Sequence, residues 1–412
     1  MPLDIVEALK RLVAIPSESS YGKEGIVRKN YREAAEAVAE IAKAHGLKVE
    51  WIDLLGGEVP TLIISLPDPP SNKPSLALVS HYDVVPAKGP WVVDGEEMDP
   101  YEPVVRDGKI YGRGAADDKS GIVGSLAGLV MLAEEKPVLR YNPVAVVTGD
   151  EEVGGHGIRA LLEEGYRWDR VIIVDAGSEY VSVGASGVVE GWMKVKGRAG
   201  HAGYPHATRN AAEDLVRLVY EMFAFKAARG AKLSTLPPPP GSPLPYVWGR
   251  FTVNILKLPE TEAEKHNRVP GEAWAGFDMR LIPEEDVEEA VRELYSYFSS
   301  AIARLGVQAE LEVVAQQKGW YTRNKEFVNE AVAAAAAAYR KAGLPWEARI
   351  AAELGGNDGS HFDEYGMDVI AFGTIRSNTN IHAQGEFVYL EDIEMFKHFV
   401  YELVREAGEG EG

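Results

Sequence analysis

"NPVAVVTGDEEVGGHG", Asn142 to Gly157, joins an apolar run to three consecutive carboxylates, Asp150, Glu151 and Glu152, and then to a glycine-rich turn. The run reads as a buried strand. Upstream lies a helical stretch apolar on every side, "SGIVGSLAGLVMLAEE", preceded by the strand "SLALVSHYDVV"; downstream comes another strand, "VIIVDAG". Strands alternating with helices describe a mostly parallel sheet covered by helices, and such folds place ligands at strand ends. Three like charges at a buried strand end repel one another and lose hydration, so the pattern asks for a cation beside them.

A chain of 412 residues is too long for one ordinary core, and its 46% hydrophobic content is that of a globular enzyme. The absence of cysteine excludes disulfides and thiolate metal sites, leaving any metal to histidine and carboxylate. A net charge of −20, from 43 basic and 63 acidic residues, argues against nucleic acid and leaves a small-molecule or short-peptide substrate. No run of about 18 apolar residues is present. The start, "MPLDIVEALKRLVAIPSESS", reads as an amphipathic helix and not as a secretory signal, so no membrane partner and a cytoplasmic location are expected.

Working outward, Val27 to Lys43 has helical spacing, and "LKVEWIDL" and "TLIISL" read as short strands. After Gly184 the pattern changes to strand "VVEGWMKVKG", helix "NAAEDLVRLVYEMFAFKAA", strands "WGRFTVNILKL" and "EAWAGFDMRL", helix "EDVEEAVRELYSYFSSAIARLG" and strand "QAELEVVAQ". That βαββαβ order predicts a ferredoxin-like module. The expected architecture is α/β: a catalytic domain built from residues 1–186 and 318–412 around a mostly parallel sheet, with residues 187–317 inserted. The tail "EGEG" reads as a frayed end.

Five places carry residues suited to chemistry. In "SHYDVVP", His81 and Asp83 lie two apart at a strand end, so the carboxylate can orient the imidazole toward a metal; a hydrogen-bonded core pair has the same spacing. In "YGRGAADDKSG", Asp117 and Asp118 precede the apolar helix, and an N-cap explains only one of them. A dinucleotide fingerprint there is disfavoured, because Asp117 occupies the third glycine position and would repel a pyrophosphate. Glu151 and Glu152 make the third place, and Asp175 in "VIIVDAG" the fourth. The fifth is His382 in "TNIHAQGEF". Imidazole plus carboxylate suits zinc, cobalt or manganese.

Taken in order, "SHYDVVP", "YGRGAADDKSG", "TGDEEVGG", "VDAG", "GRAGHAGYPH" and "NIHAQGE" resemble the di-zinc family of aminoacylase, glutamate carboxypeptidase, acetylornithine deacetylase and succinyl-diaminopimelate desuccinylase. The resemblance covers essentially the whole chain, and the inserted module is the family's lid or dimerisation domain. It implies two divalent ions per subunit, with zinc first and cobalt or manganese as alternatives. His81 and Asp175 would hold one ion, Glu152 and His382 the other, and Asp117 would bridge them. The choice of Asp117 over Asp118 follows the glycine loop, and a cis peptide after the bridging Asp comes with it. Glu151 takes the place of the general base acting on a metal-bridging water, and Asp83 that of the carboxylate behind His81.

His201 in "GRAGHAGYPH" is by its residues alone a loop histidine. The resemblance makes it an oxyanion donor reaching in from the partner subunit, and so implies a homodimer through the lid. Asn267 in "NRVP" and Arg280 in "FDMR" match positions that hold the substrate's carboxylate or carbonyl, although Arg280 can equally pair with an acidic neighbour. "LGGNDGSHF" resembles the substrate loop G-G-T-S-D-G-R-F, with Gly356, Asn357 and His361 as candidates. His361 stands where the Arg would be, which counts against a succinyl group, and Arg376 in "GTIRSN" is the available substitute cation.

The expected activity is hydrolysis of an amide bond in N-acyl amino acids or short peptides. A deacylase and a carboxypeptidase or dipeptidase both fit. A non-catalytic scaffold fits poorly, since it has no use for a base beside intact ligands. No G-x-S-x-G elbow or H-E-x-x-H motif supports another hydrolase class.

Overall fold

A computed structural model describes residues 2–23, 25–70, 72–259, 265–347 and 349–406, and the tail "EGEG" lies outside them. The chain divides into two compact units. One comprises Met1–Val183, Thr322–Ala351 and Asn357–Gly412; the other comprises Gly184–Tyr321 and Ala352–Gly356.

In the first unit, strands Asp368–Ala371, Arg170–Ile173, Ser75–His81 and Asn142–Thr148 lie side by side and parallel. Val59–Ser65 and Lys48–Leu54 continue the sheet antiparallel beyond Asn142–Thr148. At the other side Val181–Ala185 joins antiparallel, with Ser182 opposite Ala371. The register sets Thr148 opposite His81 and Ile173 opposite Val79, so neighbouring strands end nearly level. The segments that leave those ends carry Asp83, Glu151, Glu152 and Asp175.

The helix Lys119–Glu135 is buried without a break from Lys119 to Val130, as its all-round apolar pattern predicts. It packs tightly on Leu390–Val404: a Cβ on Gly124 would meet Phe396 at 2.8 Å, and one on Gly128 would meet Val400 at 2.6 Å. Side chains such as Leu126, Leu129, Phe396 and Phe399 fill this core, each worth roughly 1.5–3 kcal/mol of burial.

One element differs from its sequence reading. The expected helix at Val27 begins only at Tyr31, because Asn30 is left-handed (φ 52°). Gly25–Arg28 instead pairs antiparallel with Ser19–Gly22 as a hairpin.

The second unit holds one antiparallel sheet in the order Arg250–Lys257, Glu272–Leu281, Gly187–Lys196, Gln308–Gln317. Helices Ala211–Glu221, Phe223–Gly230 and Val287–Leu305 complete a ferredoxin-like arrangement. The expected single helix across 210–228 breaks at Met222 into the first two of these. Val189, Met193, Leu215, Phe225, Phe251, Phe277, Leu294 and Phe298 form its core.

Candidate metal centre

Two groups of side chains meet at the strand ends of the first unit. His81, Glu151 and Asp175 place one donor atom each within 4.8 Å of one another, and Asp117, Glu152 and His382 do the same. Asp117 joins the groups through its two oxygens. Its Oδ1 lies 3.0 Å from His81 Nε2, and its Oδ2 lies 3.0 Å from His382 Nε2. His382 Nε2 is also 3.0 Å from Glu152 Oε2, while His81 Nε2 is 4.0 Å from Asp175 Oδ2. All five residues expected as ligands, together with the expected base Glu151, therefore converge, and the carboxylate shared between the two imidazoles is that of Asp117.

Asp118 does something else. The Asp117–Asp118 peptide is cis. Asp118 occupies the N-cap position of the following helix but makes no side-chain cap bond, and both its oxygens are buried without a hydrogen-bond partner. Burial holds its carboxyl well above the usual range. A Cβ on Gly121 would lie 2.1 Å from Asp118 Oδ1, so that glycine makes room for it.

The electrostatics of the cluster favour added positive charge. Burial, reinforced by Asp175, Asp358 and Glu152 and opposed by His81, pushes Glu151 well above the normal range. Burial and Asp117 do the same to Asp175, and burial and Asp117 raise Glu152. Hydrogen bonds to Asp117 and Glu152 push His382 up to about 10. For His81, burial works the other way, yet hydrogen bonds to Asp117 and Asp83 raise it. Protons and divalent cations compete for such a set, so metal binding releases protons. The donor set, all imidazole and carboxylate in two linked groups, fits a pair of divalent ions.

Several supports were not legible in the sequence. Asp83 lies against His81, with its backbone O 3.0 Å and its Oδ1 3.3 Å from His81 Nδ1. The same carboxylate also accepts the backbone N–H groups of Glu151 and Glu152, each at 3.3 Å. Asp150, first of the three consecutive acids, turns away from the cluster and is fully buried against Arg28. Glu386 is buried as well. Its Oε2 takes Arg113 Nη1 at 2.6 Å, and its Oε1 takes the N–H groups of Ala116 and Asp117 at 3.0 and 3.2 Å. Burial and the neighbouring Asp117 push Glu386 up to about 7. Glutamate four residues after a histidine gave no sign of this role.

The substrate candidates fall in both units. Asp358 and His361 of the first unit crowd the glycine turn after Glu152: a Cβ on Gly155 would meet Asp358 Oδ1 at 2.4 Å and His361 Nε2 at 2.7 Å. Asn357 Oδ1 accepts the Gly359 N–H at 3.0 Å. Arg376 is not a spare cation, because it is held by Asp392 and Glu391 at 2.6 and 2.7 Å. In the second unit, His201 is exposed, accepts the Gly203 N–H on Nδ1 at 3.0 Å and has Asn267 Nδ2 3.2 Å from its Nε2. Arg280 pairs with Asp278 two residues away on the same strand, at 3.0 and 2.8 Å. A Cβ on Gly356 would stand 3.1 Å from Gln317 Oε1 and 3.3 Å from Ser186 O.

Two linked His–carboxylate groups thus lie at the ends of the parallel strands of the first unit. The model of Peptidase family M20/M25/M40 matches residues 77–406, and the chain belongs to that family. It is 28% identical over 375 residues to an uncharacterized metallohydrolase of Methanocaldococcus jannaschii, spanning 86% of each chain. It is 27% identical over 337 residues to the succinyl-diaminopimelate desuccinylase of Azoarcus sp., spanning 79% of this chain and 80% of that one. Its fold is similar to that of an M20 family metallo-carboxypeptidase from Sulfolobus solfataricus, with a TM-score of 0.76 at 17% identity over 97% and 98% of the two chains. No described helix is long and apolar enough to cross a membrane.

Proposed function

We propose that the protein hydrolyses the amide bond of N-acyl amino acids or short peptides, with Glu151 as general base beside a pair of zinc ions. His81 and Asp175 would hold one ion, Glu152 and His382 the other, and Asp117 both. The observation that carries the reading is the bridging position of Asp117 within a cluster of four carboxylates and two imidazoles. When bound, the metal pair acidifies a water and polarises the substrate carbonyl.

The remaining work falls to the side chains. Glu151 lies beside the five-ligand set, and burial raises its carboxyl above the ordinary range, which favours its accepting a proton. It takes a proton from the attacking water and delivers it to the leaving amine. Asp83 fixes the imidazole of His81 and, through the Glu151 and Glu152 amides, the turn that carries the base. Asn267 and His201 lie side by side on the inserted unit as candidates for the substrate carbonyl oxygen.

Assembly as a homodimer through the inserted unit is part of this reading. Val216, Tyr220, Phe223, Leu256 and Leu258 make an exposed apolar face there. The adjoining strand Arg250–Lys257 stands at the edge of its sheet. A second copy covers such an edge and face in one contact.

The experiment is hydrolysis by zinc- or cobalt-loaded protein across N-acetyl amino acids, N-succinyl amino acids and unmodified dipeptides. Turnover of N-acyl amino acids alone makes it a deacylase, and turnover of free dipeptides makes it a peptidase. Metal-loaded protein inert to the whole panel contradicts the proposal.

A further inference from the structure

The hairpin at the start of the chain touches the turn that carries Glu151 and Glu152 at several points. Tyr21 Oη donates to the Val153 carbonyl at 2.7 Å. Arg28 places Nε 2.9 Å from Asp150 Oδ1 and Nη2 2.6 Å from Asp150 Oδ2, while its Nη1 reaches Glu58 at 2.6 Å. Just beyond the hairpin, Tyr31 Oη donates to Asp150 Oδ1 at 2.9 Å. At the other end, Ser19 Oγ donates to Asp83 Oδ2 at 2.8 Å, and Asp83 is the acceptor of the Glu151 and Glu152 amides.

The turn needs such support. Asp150 is left-handed at φ 71°, a region that residues with a side chain rarely adopt. Its carbonyl closes the turn by accepting the Gly155 N–H at 2.7 Å, and the Glu151 carbonyl accepts the Gly154 N–H at 3.0 Å. A fully buried carboxylate stays in place only with its charge compensated, and the two-pronged fit of a guanidinium also fixes its direction.

We infer that the hairpin Ser19–Arg28 is a clamp on the Glu151–Glu152 turn, and that Arg28 is a positioning residue for the base through Asp150. The inference rests on the proposed role of Glu151, but the geometry of the turn can be read without any metal or substrate. The hydrogen bonds of Arg28 go to Asp150 and Glu58, neither of them one of the six side chains of the cluster. Its effect reaches them through the backbone of the turn, where a displacement of about 1 Å is enough to cost 10²-fold in rate.

The test is hydrogen exchange on the metal-free protein, followed by kinetics of the metal-loaded protein, for Arg28→Met, Arg28→Lys and Tyr21→Phe. Expected is exchange at the Gly154 and Gly155 amides faster by about tenfold or more in Arg28→Met, with the strand Asn142–Thr148 unaffected. Arg28→Lys should recover part of the protection. Tyr21→Phe removes one hydroxyl from an exposed side chain and should loosen the same amides to a smaller degree without unfolding the protein. In the metal-loaded enzyme, kcat should fall about 10²-fold in Arg28→Met, with KM within about twofold and two ions per chain retained. Unchanged exchange at the turn overturns the inference, as does a loss of protection spread evenly over the sheet. A wild type inert to every substrate would end the proposed function, while the exchange result would still decide the clamp.

Discussion

Each unit of this protein buries a cluster of charge, and the two clusters are balanced differently. In the inserted unit Arg229 is fully buried and forks onto Glu285 at 2.6 and 2.7 Å, with a further bond to the Arg280 carbonyl at 3.0 Å. Lys232 adds ion pairs to Glu285 at 2.8 Å and Glu293 at 2.7 Å. Two cations face two carboxylates, and Glu285 lies below its usual range because Arg229 and Lys232 outweigh its burial. At the strand ends of the other unit, Asp117, Glu151, Glu152 and Asp175 gather around His81 and His382, the imidazoles that join them among the described residues, and Glu151 and Asp175 are driven up. Buried charge that closes on itself holds a fold together. Buried charge left short of cations marks where something must bind. The contrast also runs between adjacent residues: Asp150 is matched by Arg28 and is structural, whereas Glu151 is unmatched.

The sharpest way to break this contrast is to remove a donor from the unbalanced cluster. Glu152→Gln should lower metal content from two ions per chain toward one and cut turnover by about 10²–10⁴-fold, read by elemental analysis and steady-state kinetics. Full metal content in that variant would place the second ion elsewhere. In the balanced cluster, Arg229→Met leaves Glu285 to Lys232 and should cost up to about 3 kcal/mol in denaturant unfolding, at or below the range for a fully stranded buried charge. The metal content of the remaining folded protein should be unaltered. If metal binding moved with Arg229, the two clusters would not be separable.

His201→Ala should lower turnover by about 10²-fold with two ions still bound. Mixing it with Glu151→Gln chains should restore activity, because one site in the mixed dimer would then combine an intact base with an intact histidine. The absence of recovery argues for a site completed within one chain.

The gentlest probe is pH. His382 is raised to about 10 in the metal-free protein, so below that pH a metal must displace its proton. Apparent affinity should therefore rise with pH from 6 to 9 by up to about tenfold per unit for each proton displaced, with proton release seen by calorimetry in buffers of different ionisation enthalpy. A flat profile would contradict the exchange of protons for metal.

Much of this was readable from the chain itself. Strands at Ser75, Asn142 and Arg170 show as continuous apolar runs because they are covered on both faces, and the inserted module shows as a switch to alternating strands and amphipathic helices. His81, Glu151, Glu152 and Asp175 were legible because each sits at or just beyond such a strand, whereas Asp117 and His382 showed only through the motifs "YGRGAADDKSG" and "NIHAQGE". The supports were less so. Asp150 looked like a third member of the acidic cluster, and only the fold brings Arg28 to it across 122 positions. Glu386 reaches the Asp117 amide across 269 positions, with no local pattern to announce it. The hairpin Ser19–Arg28 was hidden for a different reason: the apolar spacing from Val27 onward is helical, and the left-handed turn at Asn30 breaks it.

The measurement that bears most directly on the central claim is metal content and turnover of Glu151→Gln beside the wild type. The account predicts two ions per chain in both proteins, with turnover in the variant lost by about 10²–10⁴-fold. A variant that keeps both ions and near-normal turnover would show that Glu151 is not the base, and one that loses metal would make Glu151 a ligand.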